Sequence, residues 1–143
     1  MKKKSESKIL AKSRTANRVP TGIPGFDELV QGGFPKNSNI LLAGTPGTGK
    51  TIFGMQYLIN GAEKYNEKGL FVTFEQKREA IVQQAIQFGW DIGRLGQYGK
   101  LKIMDIDIDK INDKTSNDLR MIIKREGIKR VVIDSLSTLI VNA

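Results

Sequence analysis

Eight consecutive residues, Gly44-Thr45-Pro46-Gly47-Thr48-Gly49-Lys50-Thr51, satisfy the pattern G-x-x-x-x-G-K-[ST], and each residue type in it suits the handling of phosphate. Glycines at 44, 47 and 49 let the backbone curl so that successive N–H groups point at one anion with no Cβ in the way. Lys50 is placed to reach the β- and γ-phosphates of a nucleoside triphosphate, and the Thr51 hydroxyl to ligate Mg²⁺. The far side of such a metal needs an acidic group, typically at the end of a hydrophobic strand. Asp134, directly after Val131-Val132-Ile133, is the candidate. Hydrolysis needs one more part, a carboxylate that orients and polarises the attacking water. Glu75, at the end of the run Leu70-Phe71-Val72-Thr73-Phe74 and followed by Gln76, is the candidate for it.

A phosphate loop of this kind works between a strand and a helix, and the flanking residues supply both. Ser38 to Ala43 is apolar and predicts a buried strand; Thr51 to Ala62 carries Ile52, Phe53, Met55, Tyr57, Leu58 and Ile59 at helical spacing. Ahead of them, Ile23 to Val30 predicts a turn leading into a short helix closed by Gly32-Gly33. Downstream, a second strand is expected over Gly69 to Glu75, a helix over Arg78 to Phe88, and a glycine-punctuated turn from Gly89 to Gly99. A third strand fits Leu101 to Ile108. Thr115 or Ser116 is expected to cap a helix ending at Glu126 with Gly127 at its C-terminal end, and Arg130 to Asp134 is a fourth strand. The alternation predicts an α/β fold: a doubly wound, mostly parallel sheet flanked by helices. Glu75 and Asp134 then fall at C-terminal strand ends, the side on which such sheets bind ligands.

Composition narrows the possibilities. The 143 residues include neither cysteine nor histidine, which removes thiolate metal sites, disulfides and imidazole catalysis. No apolar run approaches the ~20 residues of a membrane span, and Met1-Lys2-Lys3-Lys4 leads into Ser5-Glu6-Ser7-Lys8 with no apolar segment of a secretory signal. Cytoplasmic residence is the expectation. The net charge of +8 is concentrated at the start, where residues 1–18 hold seven basic side chains against Glu6 alone. Residues 1–17 therefore read as a basic flexible arm, which a nucleic acid could attract through counterion release, and residues 18–143 as the folded domain. Asp105-Ile106-Asp107-Ile108-Asp109 begins like a calcium loop, but Lys110 and Ser116 stand where glycine and glutamate are needed. Phe88 and Trp90 read as core packing rather than a base-stacking platform.

With these residues in hand, the chain resembles the KaiC-like branch of the RecA/RadA superfamily of P-loop NTPases. The resemblance runs from about Arg18 to Leu139. It rests on Thr21-Gly22-Ile23-Pro24-Gly25-Phe26-Asp27-Glu28-Leu29, Gly32-Gly33-Phe34-Pro35, the phosphate loop, Val72-Thr73-Phe74-Glu75 and Val132-Ile133-Asp134-Ser135. It implies ATP with Mg²⁺ as cofactors, Glu75 as the catalytic glutamate, and assembly into a homo-oligomeric ring or filament with nucleotide held between neighbouring subunits. Two departures from the family pattern stand out. Many KaiC-like proteins have two adjacent glutamates where this chain has Glu75-Gln76, and such domains continue well past the aspartate-bearing strand, so the C-terminal part of the core is expected to be missing here. ATP binding is accordingly expected ahead of turnover. A non-hydrolysing nucleotide-regulated module with a protein partner, and a DNA-binding recombinase-like accessory protein, are the alternatives.

Overall fold

The computed structural model of the chain describes residues 17–43 and 49–134. The chain divides into two compact units, Met1–Lys50 and Thr51–Ala143. The phosphate-loop residues Gly44 to Thr48 and most of the basic arm lie outside the described residues.

In the first unit, β1 (Arg18–Val19) pairs antiparallel with β2 (Phe34–Pro35). Between them the chain makes a single 3-10 turn at Asp27–Val30, closed by Gln31 in the left-handed conformation. Asp27 explains the spacing of the motif around it. Its carboxylate accepts from the Thr21 N–H at 3.0 Å, the Gly22 N–H at 3.0 Å and the Thr21 hydroxyl. The buried Thr21 hydroxyl in turn accepts from the Ile23 N–H at 3.1 Å. One acidic side chain thereby holds the loop's donors in the manner of an Asx cap. Gly33 sits at φ +137°, where a Cβ would lie 2.2 Å from the Val19 carbonyl oxygen, so only glycine fits beside β1.

The predicted strand at Ser38 to Ala43 does not form. These residues make no ladder, and Ile40, Leu41 and Leu42 are exposed. An apolar run supplies a strand's side chains, but a strand exists only through a neighbour that takes its backbone hydrogen bonds, and among the described residues the sheet of the second unit is built from other segments.

That sheet has three parallel strands in the order β4-β3-β5, with β3 (Gly69–Thr73) between β4 (Leu101–Asp105) and β5 (Arg130–Asp134). All five residues of β3 are buried, as a central strand covered on both faces requires. Alternate residues divide between two apolar clusters. On one face Phe71, Leu101 and Ile103 pack with Met55, Leu58, Ile59 and Ala62 of α1 (Lys50–Lys64), Ile81 and Ala85 of α2 (Arg78–Gln87), and Ile92 and Leu95 of α3 (Ile92–Gln97). On the other, Leu70 and Val72 meet Leu119, Ile122 and Ile123 of α4 (Asp113–Glu126). The result is helix, sheet, helix: the expected α/β arrangement of parallel strands flanked by helices.

Local differences from the sequence reading have local causes. The segment 89–99 is not all turn. Asp91 accepts from the Arg94 N–H at 3.0 Å, and this cap starts α3. The third strand stops at Asp105, and a 3-10 turn follows at Ile108–Lys110. Helix α4 is capped by Asn112 rather than Thr115 or Ser116. Thr115 is the third helical residue: its N–H donates to the Asn112 side chain and its hydroxyl accepts from the Asn112 N–H, each at 3.1 Å, a reciprocal capping box. Gly127 closes that helix at φ +67°, as expected.

Candidate functional site

The three parallel strands carry Thr73, Asp105 and Asp134 to the same end of the sheet, since Thr73 is in register with both aspartates. These are the C-terminal strand ends. Each strand contributes something there, and the contributions are tied together by hydrogen bonds.

Asp134 is the last residue of β5. Its Oδ2 accepts from the Thr51 hydroxyl at 2.8 Å, across 83 residues of sequence. Thr51 is the second residue of α1, so the first turn of that helix meets the end of β5. Lys50 is the first helical residue and is half-buried; Gly49 precedes it at φ +88°, a conformation that L side chains rarely adopt. The sequence paired Thr51, from a loop pattern, with Asp134, from the end of an apolar run, and the structure brings the two side chains together. The remaining phosphate-loop residues, Gly44, Thr45, Pro46, Gly47 and Thr48, lie outside the described residues.

The donor set at this junction is a hydroxyl and a carboxylate, hard oxygen ligands of the kind Mg²⁺ prefers. Among the described residues no group of three or more acidic side chains is placed to hold a metal by itself. A Mg²⁺ here would take few protein ligands and the rest from phosphate and water, which is how this ion is ordinarily held beside nucleotides.

Glu75 lies in the bend that follows β3, exposed. The backbone on either side of it is anchored. Phe74 donates its N–H to the Asp134 carbonyl at 3.0 Å and packs its ring in the cluster beneath α4. Gln76 is bound through its main chain to the Thr73 hydroxyl. The bend bearing the candidate water-orienting carboxylate is thus fastened to the strand bearing the candidate metal-binding one. Farther along, Asp105 of β4 accepts from the Arg78 N–H at 3.1 Å. It caps α2 from a different element, in place of Lys77, whose side chain makes no such bond. The sequence marked neither Thr73 nor Asp105 as a site residue: Thr73 entered only within the Val72-Thr73-Phe74-Glu75 motif, and Asp105 only as the start of a rejected calcium loop. Only strand register shows that they share an end with Asp134.

The KaiC ATPase family model matches residues 19–143. A UPF0273 protein of Sulfurisphaera tokodaii is 40% identical over 139 residues, covering 85% of this chain and 49% of its own length. The circadian clock oscillator protein KaiC of Thermostichus vulcanus is 37% identical over 134 residues, covering 87% of this chain and 26% of its own length. The chain therefore spans about half of the first relative and about a quarter of the second. Among solved structures, the crystal structure of a KaiC-like protein from Pyrococcus horikoshii superposes with a TM-score of 0.79 at 40% identity, over 88% of this chain and 56% of that one. The family model covers residues 19–143 and the solved structure 88% of the chain: the chain belongs to the KaiC-like ATPases of the RecA superfamily.

Proposed function

We propose that the chain binds ATP with Mg²⁺ through Gly44 to Thr51 and Asp134, and that Glu75 makes the site hydrolytic when a neighbouring subunit of a ring or filament completes it. The observation that carries this reading is the hydrogen bond of 2.8 Å between the Thr51 hydroxyl and Asp134 Oδ2, which joins the phosphate-loop helix to the strand end where a metal-binding acid is required. Lys50 supplies a positive charge for the β- and γ-phosphates, and the loop's N–H groups and the N-terminus of α1 add theirs. Thr51 and Asp134 hold the Mg²⁺, which when bound neutralises charge on the transferring phosphoryl group. Glu75 accepts the hydrogen bond that orients water for in-line attack. Catalysis is by positioning and charge neutralisation.

Retention of labelled ATP tests the binding half of this reading. Lys50→Ala is expected to weaken it by roughly tenfold to a hundredfold, the loss of a charge-assisted contact, and equal retention by both proteins contradicts the site. Phosphate release tests the other half: Glu75→Gln is expected to reduce it by about a hundredfold or more with ATP affinity preserved.

Gln76 favours a second reading, in which nucleotide sets a conformation or assembly state read by a protein partner and turnover is slow or absent. ATP-dependent assembly without phosphate release in the wild-type chain is its signature. The cytoplasm is the compartment consistent with either. No helix among the described residues is long and apolar enough to cross a membrane.

A further inference from the structure

Resting on the ATPase reading above, we propose that Thr73 is the positioning residue for Glu75. Thr73 ends the central strand with only 2% of its surface exposed, and its hydroxyl does two things at once. It accepts from the Gln76 N–H at 3.1 Å and donates to the Gln76 carbonyl oxygen at 3.2 Å. One buried oxygen therefore closes a loop of three residues, Phe74-Glu75-Gln76, onto the strand that precedes it. The Phe74 N–H is fixed from the other side by the Asp134 carbonyl at 3.0 Å, so the main chain is held both before and after Glu75. A water-orienting group must be placed to within a fraction of an ångström, and a displacement of about 1 Å can cost about a hundredfold in rate.

The residue type follows from the position. A fully buried central strand favours a β-branched side chain, and the turn after it needs a hydroxyl that reaches two or three residues ahead; threonine supplies both. The clamp also bears on Gln76. Thr73 grips the main chain of residue 76 and so is indifferent to whether its side chain is an amide or a carboxylate. The departure from a paired-glutamate pattern leaves the placement of Glu75 intact.

Three full-length proteins test this: wild type, Thr73→Val, which keeps the shape and removes the hydroxyl, and Thr73→Ser, which restores it. Phosphate release in Thr73→Val is expected to fall by between about tenfold and a hundredfold, with ATP affinity within about twofold of wild type; Thr73→Ser recovers most of the rate. Hydrogen exchange at the Gln76 amide, measured without nucleotide, is expected to accelerate by roughly fivefold in Thr73→Val alone, the loss of one ordinary hydrogen bond. The Glu75 side-chain carboxyl ¹³C resonance is expected to shift on adding MgATP in wild type and Thr73→Ser and to respond differently in Thr73→Val. Unchanged exchange, or accelerated exchange with an unaltered rate and carboxyl response, overturns the proposal. Wild-type protein that binds ATP without releasing phosphate contradicts the ATPase reading instead, and the exchange and carboxyl measurements then decide the role of Thr73 without turnover.

Discussion

At the scale of single residues, the proposed site gives two carboxylates different tasks. Asp134 is part-buried and engaged by a hydroxyl, the environment of a metal-binding acid; Glu75 is exposed on a bend, the environment of a group that must meet water and substrate. Their substitutions should separate accordingly. Asp134→Asn is expected to lower phosphate release and the benefit of Mg²⁺ together, while Glu75→Gln leaves Mg²⁺-dependent binding intact and stops the chemical step. Steady-state rates and nucleotide titrations in the two variants distinguish these patterns, and identical behaviour would count against a division of roles. Thr51, Asp134 and Glu75 were singled out as candidates in the sequence because each belongs to a short pattern with a chemical rationale. Thr73 and Asp105 were not, because their roles depend on which strands are neighbours, and register is a property of the folded sheet.

Among the elements, the junction of α1 with β5 depends on small residues in the helix. Gly54 lies where a Cβ would be 2.9 Å from Val132, and Gly61 where a Cβ would be 2.5 Å from the Arg130 side chain. Arg130 is almost wholly buried beneath that helix. Its guanidinium donates to the Tyr57 carbonyl at 3.0 Å, pairs with Glu67 at 3.0 Å, and lies over the Tyr57 ring at 4.6 Å and the Tyr65 ring at 5.2 Å. A buried charge of this kind is tolerable because it is paired, hydrogen-bonded and faced by aromatic rings. Gly61→Ala should improve helix propensity by about 1 kcal/mol yet crowd a side chain held from several directions. A net destabilisation of ~1–3 kcal/mol is expected from overpacking, measured by urea unfolding; a neutral or stabilising result would show that Arg130 moves aside freely.

The same cluster makes a pH prediction. Burial holds the Tyr57 phenol above its ordinary pKa; the Arg130 guanidinium pulls it down in part, and Glu67 adds to the rise. A group whose folded pKa exceeds its unfolded value contributes stability that is complete below the unfolded value, here about pH 10, and that is lost as pH rises through the folded one. Tyr57 should therefore ionise later than an exposed tyrosine. Ring-labelled tyrosine resonances, assigned with Tyr57→Phe, give the check; ionisation of Tyr57 at the ordinary value contradicts the burial described. The sequence indicated the helix and strand but not this cluster. An arginine opening a hydrophobic strand reads as a surface residue until the helix above it is in place.

For the whole molecule, the parallel strands and flanking helices were legible from the alternation of apolar runs with helical spacing. Two segments depart from that reading: Ser38 to Ala43, whose composition was right, makes no ladder, and the expected turn after Gly89 contains the helix Ile92–Gln97. Length and charge set the remaining expectations. If a neighbouring subunit completes the site, as proposed, nucleotide should drive assembly. Light scattering after size exclusion is expected to give a larger mass with MgATP than without, and a monomer in both contradicts completion by self-association. The basic arm is tested separately. If residues 1–17 contact nucleic acid, binding of single-stranded DNA must weaken steeply with salt and fall when the arm is removed; no change on removal takes the arm out of the function.

The most direct test of the central claim, a MgATP site built on the Thr51–Asp134 junction, is ATP affinity measured by titration calorimetry with Mg²⁺ and with excess chelator, in wild type and in Asp134→Asn. Wild type should bind ATP about tenfold or more tightly when Mg²⁺ is present, and Asp134→Asn should lose most of that increment while retaining the metal-free affinity that Lys50 and the loop provide. The same Mg²⁺ increment in both proteins would contradict the assignment.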